Sequence, residues 1–430
     1  MSRLTKIIAT IGPASWAPAT LRALIDAGMD VARLNFSHGT PESHARVLHS
    51  VRAAARRARK PVGVLLDLPG PKFRVGALPE DGVHLEPGAR VILDERVRDY
   101  RSKDGRIPLR APGLASGVKP GDRVLLDDGH LALEVVLVRR GAIDARVVRG
   151  GRLLSGKGVN LPGEVRIAST LTEEDERGLL FAVEHDADFV ALSFVRSARD
   201  VQRARDRLKA LGRPDIPLIP KLEKPQAIDA FDDILQVEGV AAVMVARGDL
   251  GVELPYEQVP VKQKLILERA HAERMPVIIA TQMLQSMTEQ AQPTRAEVND
   301  VAGAVFGGAD AVMLSAETAS GNRPVEAVAA MDRILRAAED AAVGTPSRAL
   351  TLLSGDPDWA KGNPSRAITE TAAVLARRMD AEAIVIFTET GGSARLVSTT
   401  HPRRPIYALP TSEAVLRRTT LLYGVRGAVM

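Results

Sequence analysis

Short apolar runs with β-branched residues alternate with amphipathic stretches along most of the chain, the pattern of strand–helix units wound around a parallel sheet. Strands are predicted at Lys6–Ile11, Val31–Asn35, Gly63–Leu68, Phe189–Phe194, Leu218–Leu222, Ala241–Val245, Val277–Thr281 and Ala311–Leu314. Helices are predicted between most of them, at Leu21–Ala27, Glu42–Arg59, Glu173–His185, Ala198–Leu211, Gln226–Leu235, Lys262–Arg274 and Arg295–Phe306. Eight such strands suggest an α/β fold closed into a (β/α)8, or TIM-type, barrel, whose site belongs at the C-terminal ends of the strands.

No helix follows the third strand. From Phe73 to about Ile167 the chain is rich in Gly, Pro and Val, and VHLEPGARVILDE and DGHLALEVVLVRRGAIDARVV alternate with a period of two, so an all-β domain is predicted there, over the barrel mouth where a lid would sit. After a helix near Pro324–Ala342, Gly344 to Gly362 reads as a linker rich in Ser, Gly, Pro and Asp. A small α/β pattern follows, with a helix at Ala367–Arg378 and strands in AIVIF and IYAL, and it stops inside GVRGAVM. The expected division is 1–70 and 168–343 for the barrel, 71–167 for the inserted lid, and 344–430 for a C-terminal α/β domain.

Composition narrows the class without naming a function. A chain of 430 residues with 45% hydrophobic and 26% charged residues has a sizeable core. Lys and Arg number 58 against 53 Asp and Glu, and aromatic residues are only 3%, a weak basis for a nucleic-acid partner. The run RAAARRARK reads as a solvated helix face. With no cysteine, disulfides and thiolate chemistry are excluded. No window approaches the roughly 18 uninterrupted apolar residues of a membrane span, and the N-terminus lacks a signal-peptide core; a cytoplasmic protein is the expectation.

Polar residues gather where the strands end. RLNFSHG places Arg33, Asn35 and Ser37 on one face of the second strand by alternation, with His38 next. Such groups need partners, either one another, in a structural ion pair, or a ligand. LIPKLEKPQAI puts Lys221 and Glu223 on one side of the fifth strand, and MVARGDLG offers Asp249 in a turn where Gly248 and Gly251 leave backbone N–H groups for an anion. Two carboxylates from neighbouring strand ends form an oxygen-donor pair suited to Mg²⁺ or Mn²⁺, and the lysine offsets phosphate charge. A plain Lys221–Glu223 salt bridge is the alternative. The seventh strand ends in Thr281 and Gln282, where spacing alone favours a helix cap for the threonine; the eighth ends in Ser315 and Glu317.

Taken together, KIIATIGPAS, RLNFSHG, LLDLPGPKFRVG, GKGVNLPG, LIPKLEKPQAI, VMVARGDLGVELP, IIATQMLQSMTEQAQPTRAEVNDVA and DAVMLSAETASG, in this order from residue 6 to about 330, resemble the pyruvate kinase family. The resemblance implies transfer of a phosphoryl group from phosphoenolpyruvate to ADP, giving pyruvate and ATP, the last step of glycolysis. It implies that Glu223 and Asp249 bind Mg²⁺, that Lys221 stabilises the phosphoryl group in flight, and that Arg33 holds the phosphate. Gly248 and Asp249 would meet the substrate carboxylate, and Thr281 would lie on the proton-delivery side. Asn35, His38, Arg74 and Lys157 would face the nucleotide. A homotetramer is also implied. Other enolate-handling Mg²⁺ barrels, such as a lyase or aldolase acting on pyruvate, stay open, although they need no nucleotide lid of the kind the insert and Lys157 suggest. A non-catalytic scaffold also stays open, although all the expected acid, base and metal positions are filled.

Two departures from the family carry expectations of their own. The C-terminal domain looks incomplete, and TETGGS puts Glu389 into the loop that resembles an effector-phosphate loop, so sugar-bisphosphate activation is expected to be weak or absent. In K⁺-requiring members the ion sits among groups matching Asn35, Ser37, Asp67 and the carbonyl of Leu68, with glutamate at the position of Lys72. Here a tethered ammonium would supply that charge, and K⁺ independence is expected.

Overall fold

The computed structural model describes residues 3–71, 73–100, 104–111, 113–162, 171–342 and 364–430. Eight parallel strands close into a barrel: Lys6–Thr10, Val31–Asn35, Gly63–Asp67, Phe189–Leu192, Leu218–Leu222, Val243–Ala246, Val277–Ala280 and Ala311–Leu314. Each pairs with its sequence neighbour among the eight, and the first closes on the last through Lys6–Ala311 to Ala9–Leu314. Closure follows from the residue pattern. Alternate positions such as Ile8, Val31, Leu65, Ala191, Ile219, Met244, Ile278 and Met313 fill the interior. The positions between them pack outward against the helices, so strands buried on both faces read as continuous apolar runs.

Helix starts follow local chemistry. Thr40, Thr172 and Thr294 each cap a helix and are answered by a side chain three residues on, Ser43, Asp175 or Glu297. Pro18, Pro41 and Pro324 occupy first positions where no N–H bond is lost. Two sequence expectations are corrected. The predicted helix Gln226–Leu235 is two short helices, Pro225–Asp229 and Phe231–Leu235, broken at Ala230, so that Ala227, Ile228, Phe231 and Ile234 all reach the core. The helix predicted from Lys262 begins at Gln258, because Pro260 falls in its first turn, where proline is tolerated.

Several strands also end earlier than expected. Phe194, Thr281 and Gln282 have φ of 55°, 69° and 54°, left-handed conformations that turn the chain off the sheet at the barrel mouth. Non-glycine residues held there are strained, and such strain gathers at sites that position chemistry.

Between the third and fourth barrel strands a second closed β barrel is inserted. Its strands run in the spatial order Ala142–Arg149, Arg90–Asp94, Arg106–Arg110, Phe73–Val75, Gly158–Asn160, Arg123–Leu126 and Leu131–Arg139, around a core that includes Leu93, Ile107, Val124, Leu133 and Ile143. The C-terminal unit has a helix, Pro364–Arg378, and a parallel sheet of Ile384–Thr388, Ile406–Pro410 and Val425–Gly427. Its helix Glu413–Thr419 docks on the base of the barrel through Arg417, whose guanidinium bonds Asp188 and Asp186, and Arg418, which bonds Asp215. The segment expected to be a linker lies outside the described residues. Among those described, no helix is long and apolar enough to cross a membrane.

Candidate active site

Period-two alternation carries the interior rows of the barrel to its C-terminal mouth. There the apolar residues give way in step to Thr10, Arg33, Asp67, Ser193 and Lys221, with Glu223 just past the end of its strand. Register brings them level: Thr10 pairs with Arg33, Asn35 with Asp67, and Asp67 with Ala191.

The resulting cluster is buried and charged. Arg33 Nε lies 2.7 Å from Asp67 Oδ2, and its Nη1 donates to Thr10 Oγ1 at 2.9 Å. The Lys221 ammonium lies 2.7 Å from Glu223 Oε1 and 3.3 Å from Asp67 Oδ1, and it donates to Ser193 Oγ at 2.8 Å. Glu223 is fully buried, and its Oε2 accepts the Phe194 N–H at 2.6 Å. The left-handed turn at Phe194 aims that N–H.

Burial is the strongest influence on Lys221, Asp67 and Glu223 and disfavours charge. At Lys221 it is outweighed by Asp67, Glu223 and Asp249, which hold the ammonium charged with its pKa above the usual lysine value. Asp67 is likewise held below the ordinary carboxylate range by Lys221 and Arg33. Glu223 is pushed up, by burial and by the neighbouring charge of Asp249, with Lys221 opposing. Three carboxylates thus face two cations, an imbalance that suits one further cation. Among the described residues no group of three or more His, Cys, Asp or Glu is arranged to hold a metal. Glu223 and Asp249, close enough for the charge of one to act on the other, are an all-oxygen donor pair whose chemistry fits a hard divalent ion completed by water and substrate.

Asp249 lies in the first turn of the helix Arg247–Glu253. Beside it, the Gly248 N–H donates to Thr281 Oγ1 at 2.7 Å and is not free, as sequence spacing suggested it would be. Thr281 therefore does cap a helix, but the one that follows the sixth strand and not its own. Arg247 ties the same turn together by donating to the Thr281 carbonyl and pairing with Asp300, both at 2.7 Å. Glu317 is a clamp between strand ends: it accepts from the N–H groups of Leu284 and Ser315. The Ser315 hydroxyl is buried with no hydrogen-bond partner among the described residues.

The remaining sequence-predicted residues lie at the rim or on the insert. Asn35 Oδ1 accepts the Ser37 N–H at 3.2 Å, and the His38 carbonyl lies 2.7 Å from His44 Nε2. Arg74 donates to the Gly156 carbonyl, and the Lys157 ammonium pairs with Asp127 at 2.8 Å, so both contacts are internal to the insert. A cleft between the insert and the barrel mouth is lined by Asp128, Arg247, Gly248, Gly251, Tyr256 and Gln282. Lys72 lies outside the described residues. Thr10, Ser193 and the Phe194 N–H were missed in the sequence reading. The signal for Ser193 was the same alternation that exposed Arg33 and Lys221, a hydroxyl in step with the interior row.

Residues 2–328 match the model of the pyruvate kinase barrel domain, and residues 366–430 that of the pyruvate kinase alpha/beta domain. Among curated relatives, a pyruvate kinase of Agrobacterium vitis is 43% identical over 424 residues, covering 99% of this chain and 87% of its own. The pyruvate kinase of Mycobacterium tuberculosis is 42% identical with the same coverage. That of Bacillus licheniformis is 41% identical over 425 residues, covering 98% of this chain and 71% of its own.

Proposed function

The chain belongs to the pyruvate kinase family, and on that premise we propose that it transfers the phosphoryl group of phosphoenolpyruvate to ADP, giving pyruvate and ATP in the last step of glycolysis. The observation that carries this reading is the buried group of Arg33, Asp67, Lys221 and Glu223, with Asp249 beside it, at the C-terminal mouth of the barrel.

In phosphoryl transfer the protein's part is positioning and charge stabilisation. The bond from phosphorus to the enol oxygen breaks as a terminal oxygen of ADP bonds to phosphorus, and the enolate left behind takes a proton on carbon. Arg33, held between Asp67 and Thr10, presents its remaining guanidinium N–H groups to the phosphate. Lys221, kept charged by three carboxylates, follows the charge that develops on the moving group. Glu223 and Asp249 would hold Mg²⁺ or Mn²⁺, which supplies Lewis-acid stabilisation of phosphate and carboxylate oxygens. Thr281 fixes the turn at Gly248 and Asp249, where the substrate carboxylate docks, and stands on the side from which the proton arrives. Asn35, His38, Arg74 and Lys157 face the nucleotide, and closure of the insert, residues 71–167, excludes water as a competing acceptor.

K⁺ is not required on this reading, because Lys72 carries the charge. Supporting it, oxygens of the expected ion cage already have protein donors: Asn35 Oδ1 from Ser37, Asp67 Oδ2 from Arg33, and the Leu68 carbonyl from Ser193. Weak sugar-bisphosphate activation is supported at the loop after Ile384–Thr388. There Glu389 is exposed, and the Gly391 and Gly392 N–H groups bond to Thr388 and Thr390. The exposed Phe306 on the outer helical layer suits subunit contacts of a homotetramer, and the cytoplasm suits the pathway.

A coupled assay for pyruvate formation from phosphoenolpyruvate and ADP, with Mg²⁺ and with or without K⁺, tests the proposal. Turnover no higher than that of a Lys221→Ala variant would overturn it.

A further inference from the structure

Ser193 directly follows the fourth barrel strand, in step with its interior face and buried, and its one hydroxyl stands between two groups of fixed polarity. The Leu68 carbonyl oxygen lies 2.6 Å away and can only accept, while the Lys221 ammonium lies 2.8 Å away and can only donate. The single hydroxyl proton is therefore directed to Leu68, and what faces Lys221 is a lone pair. Asp67 Oδ1, at 3.4 Å, is a poorer claimant for that proton.

Three oxygens surround the Lys221 ammonium: Ser193 Oγ accepts a hydrogen bond at 2.8 Å, while Glu223 Oε1 at 2.7 Å and Asp67 Oδ1 at 3.3 Å are ion-pair contacts. A phosphoryl oxygen drawn to the ammonium competes with the two carboxylate contacts. Glu223 has a second claim on it in the proposed site, and Asp67 is bound to Arg33, but the Ser193 lone pair has no other use.

The same hydroxyl reads the position of the segment that leads into the inserted barrel. The Leu68 carbonyl is its acceptor, and two residues on, Gly70 packs directly against Ser193. At Gly70, where φ is +65°, a Cβ would come within 3.0 Å of Ser193 Cβ, the Ser193 carbonyl oxygen and Phe194 Cδ2. The Gly70 N–H is held by Asp175 at 2.9 Å. The strand Phe73–Val75 of the insert begins three residues later.

We infer that Ser193 is a positioning residue for this reaction, its hydroxyl tying the Lys221 ammonium to the Leu68–Gly70 segment so that the lysine stays aimed while substrate replaces one of its carboxylate contacts. This rests on the proposed role of Lys221, and the two readings separate experimentally.

In the intact chain, Ser193→Ala is expected to lower kcat by about 10- to 100-fold, the cost of a misplaced catalytic group, with KM for phosphoenolpyruvate changing less than about threefold. In a Lys221→Ala background the same change is expected to cost less than about twofold, because its target is gone. A kcat within about threefold of the parent, or an equal loss in both backgrounds, which is the mark of a packing defect, overturns the role of Ser193. An inactive Lys221→Ala with an unaffected Ser193→Ala sinks this inference alone, whereas a fully active Lys221→Ala sinks the reading of Lys221 and this one with it. If Ser193→Ala fails to fold, Ser193→Cys fills the same volume with a weak acceptor, and the same pattern of kcat, KM and background dependence decides.

Discussion

The Lys221 ammonium stands 2.7 Å from Oε1 of Glu223, two residues further along the same strand end. Burial raises the pKa of this carboxyl, so folding disfavours its ionised form. For a raised acid the penalty begins as pH rises through the unfolded value near 4.5 and is complete above the folded one. Glu223→Gln therefore removes a cost present at pH 7 while deleting the charge that pairs with Lys221 and that the proposed metal would need. Activity is expected to fall by at least about 10²- to 10³-fold, with the thermal midpoint unchanged or higher. A melt and a coupled assay check this; an active variant that melts early would contradict it.

Thr281 accepts the Gly248 N–H. Thr281→Ala leaves that donor without its partner, at a cost of about 1–2 kcal/mol, and loosens the turn that carries Asp249. We expect kcat to fall at least about tenfold, and Thr281→Ser to recover most of the loss because it retains the acceptor. Equal kinetics for the Ser and Ala variants would show that the hydroxyl is irrelevant.

For Lys72, the expectation is that KCl changes the rate little compared with a bulky ammonium chloride at equal ionic strength. Lys72→Glu should then create a K⁺ requirement, read as a saturable dependence of rate on KCl. Strong stimulation of the parent by K⁺ would refute the substitution of ion by side chain.

Arg417 joins the C-terminal helix to the barrel through buried Asp188 and more exposed Asp186. Removing it leaves Asp188 paired with Arg52, so Arg417→Ala should cost about 2 kcal/mol at neutral pH. Burial acts against charge at Asp186, but its bond to Arg213 and the nearby Arg417 and Arg213 hold it below the ordinary value. Asp215 is held down chiefly by its hydrogen bond to Arg213, with Arg418 adding. Depressed acids contribute stability that is present above their unfolded value near 3.8 and lost as pH falls through the lower folded value. The gap between parent and variant should accordingly close under acid conditions, which a series of thermal melts from about pH 2 to 7 would reveal.

Some of the site was legible before any fold was known, because it depends on one-residue geometry. A period of two that puts Arg33 and Asn35 on one strand face, and Lys221 in the interior row, is a property of the strand itself, whereas Ser37 and Glu223 lie just past the strand ends. The helix caps at Thr40, Thr172 and Thr294 were available in the same local way. Boundaries were less legible where long-range packing overrides propensity: the break at Ala230 and the early turns at Phe194 and Thr281 serve contacts with residues far along the chain.

The chain alone therefore determined the strand–helix alternation, the inserted β segment, and which polar side chains stand in step with the interior row. Only the tertiary structure decided who meets whom. Arg33 meets Asp67 across 34 residues, Lys221 meets Ser193 across 28, and Gly248 meets Thr281 across 33. Those partners follow from barrel closure and strand register, which arise from packing the whole interior at once. No short stretch of sequence encodes that condition.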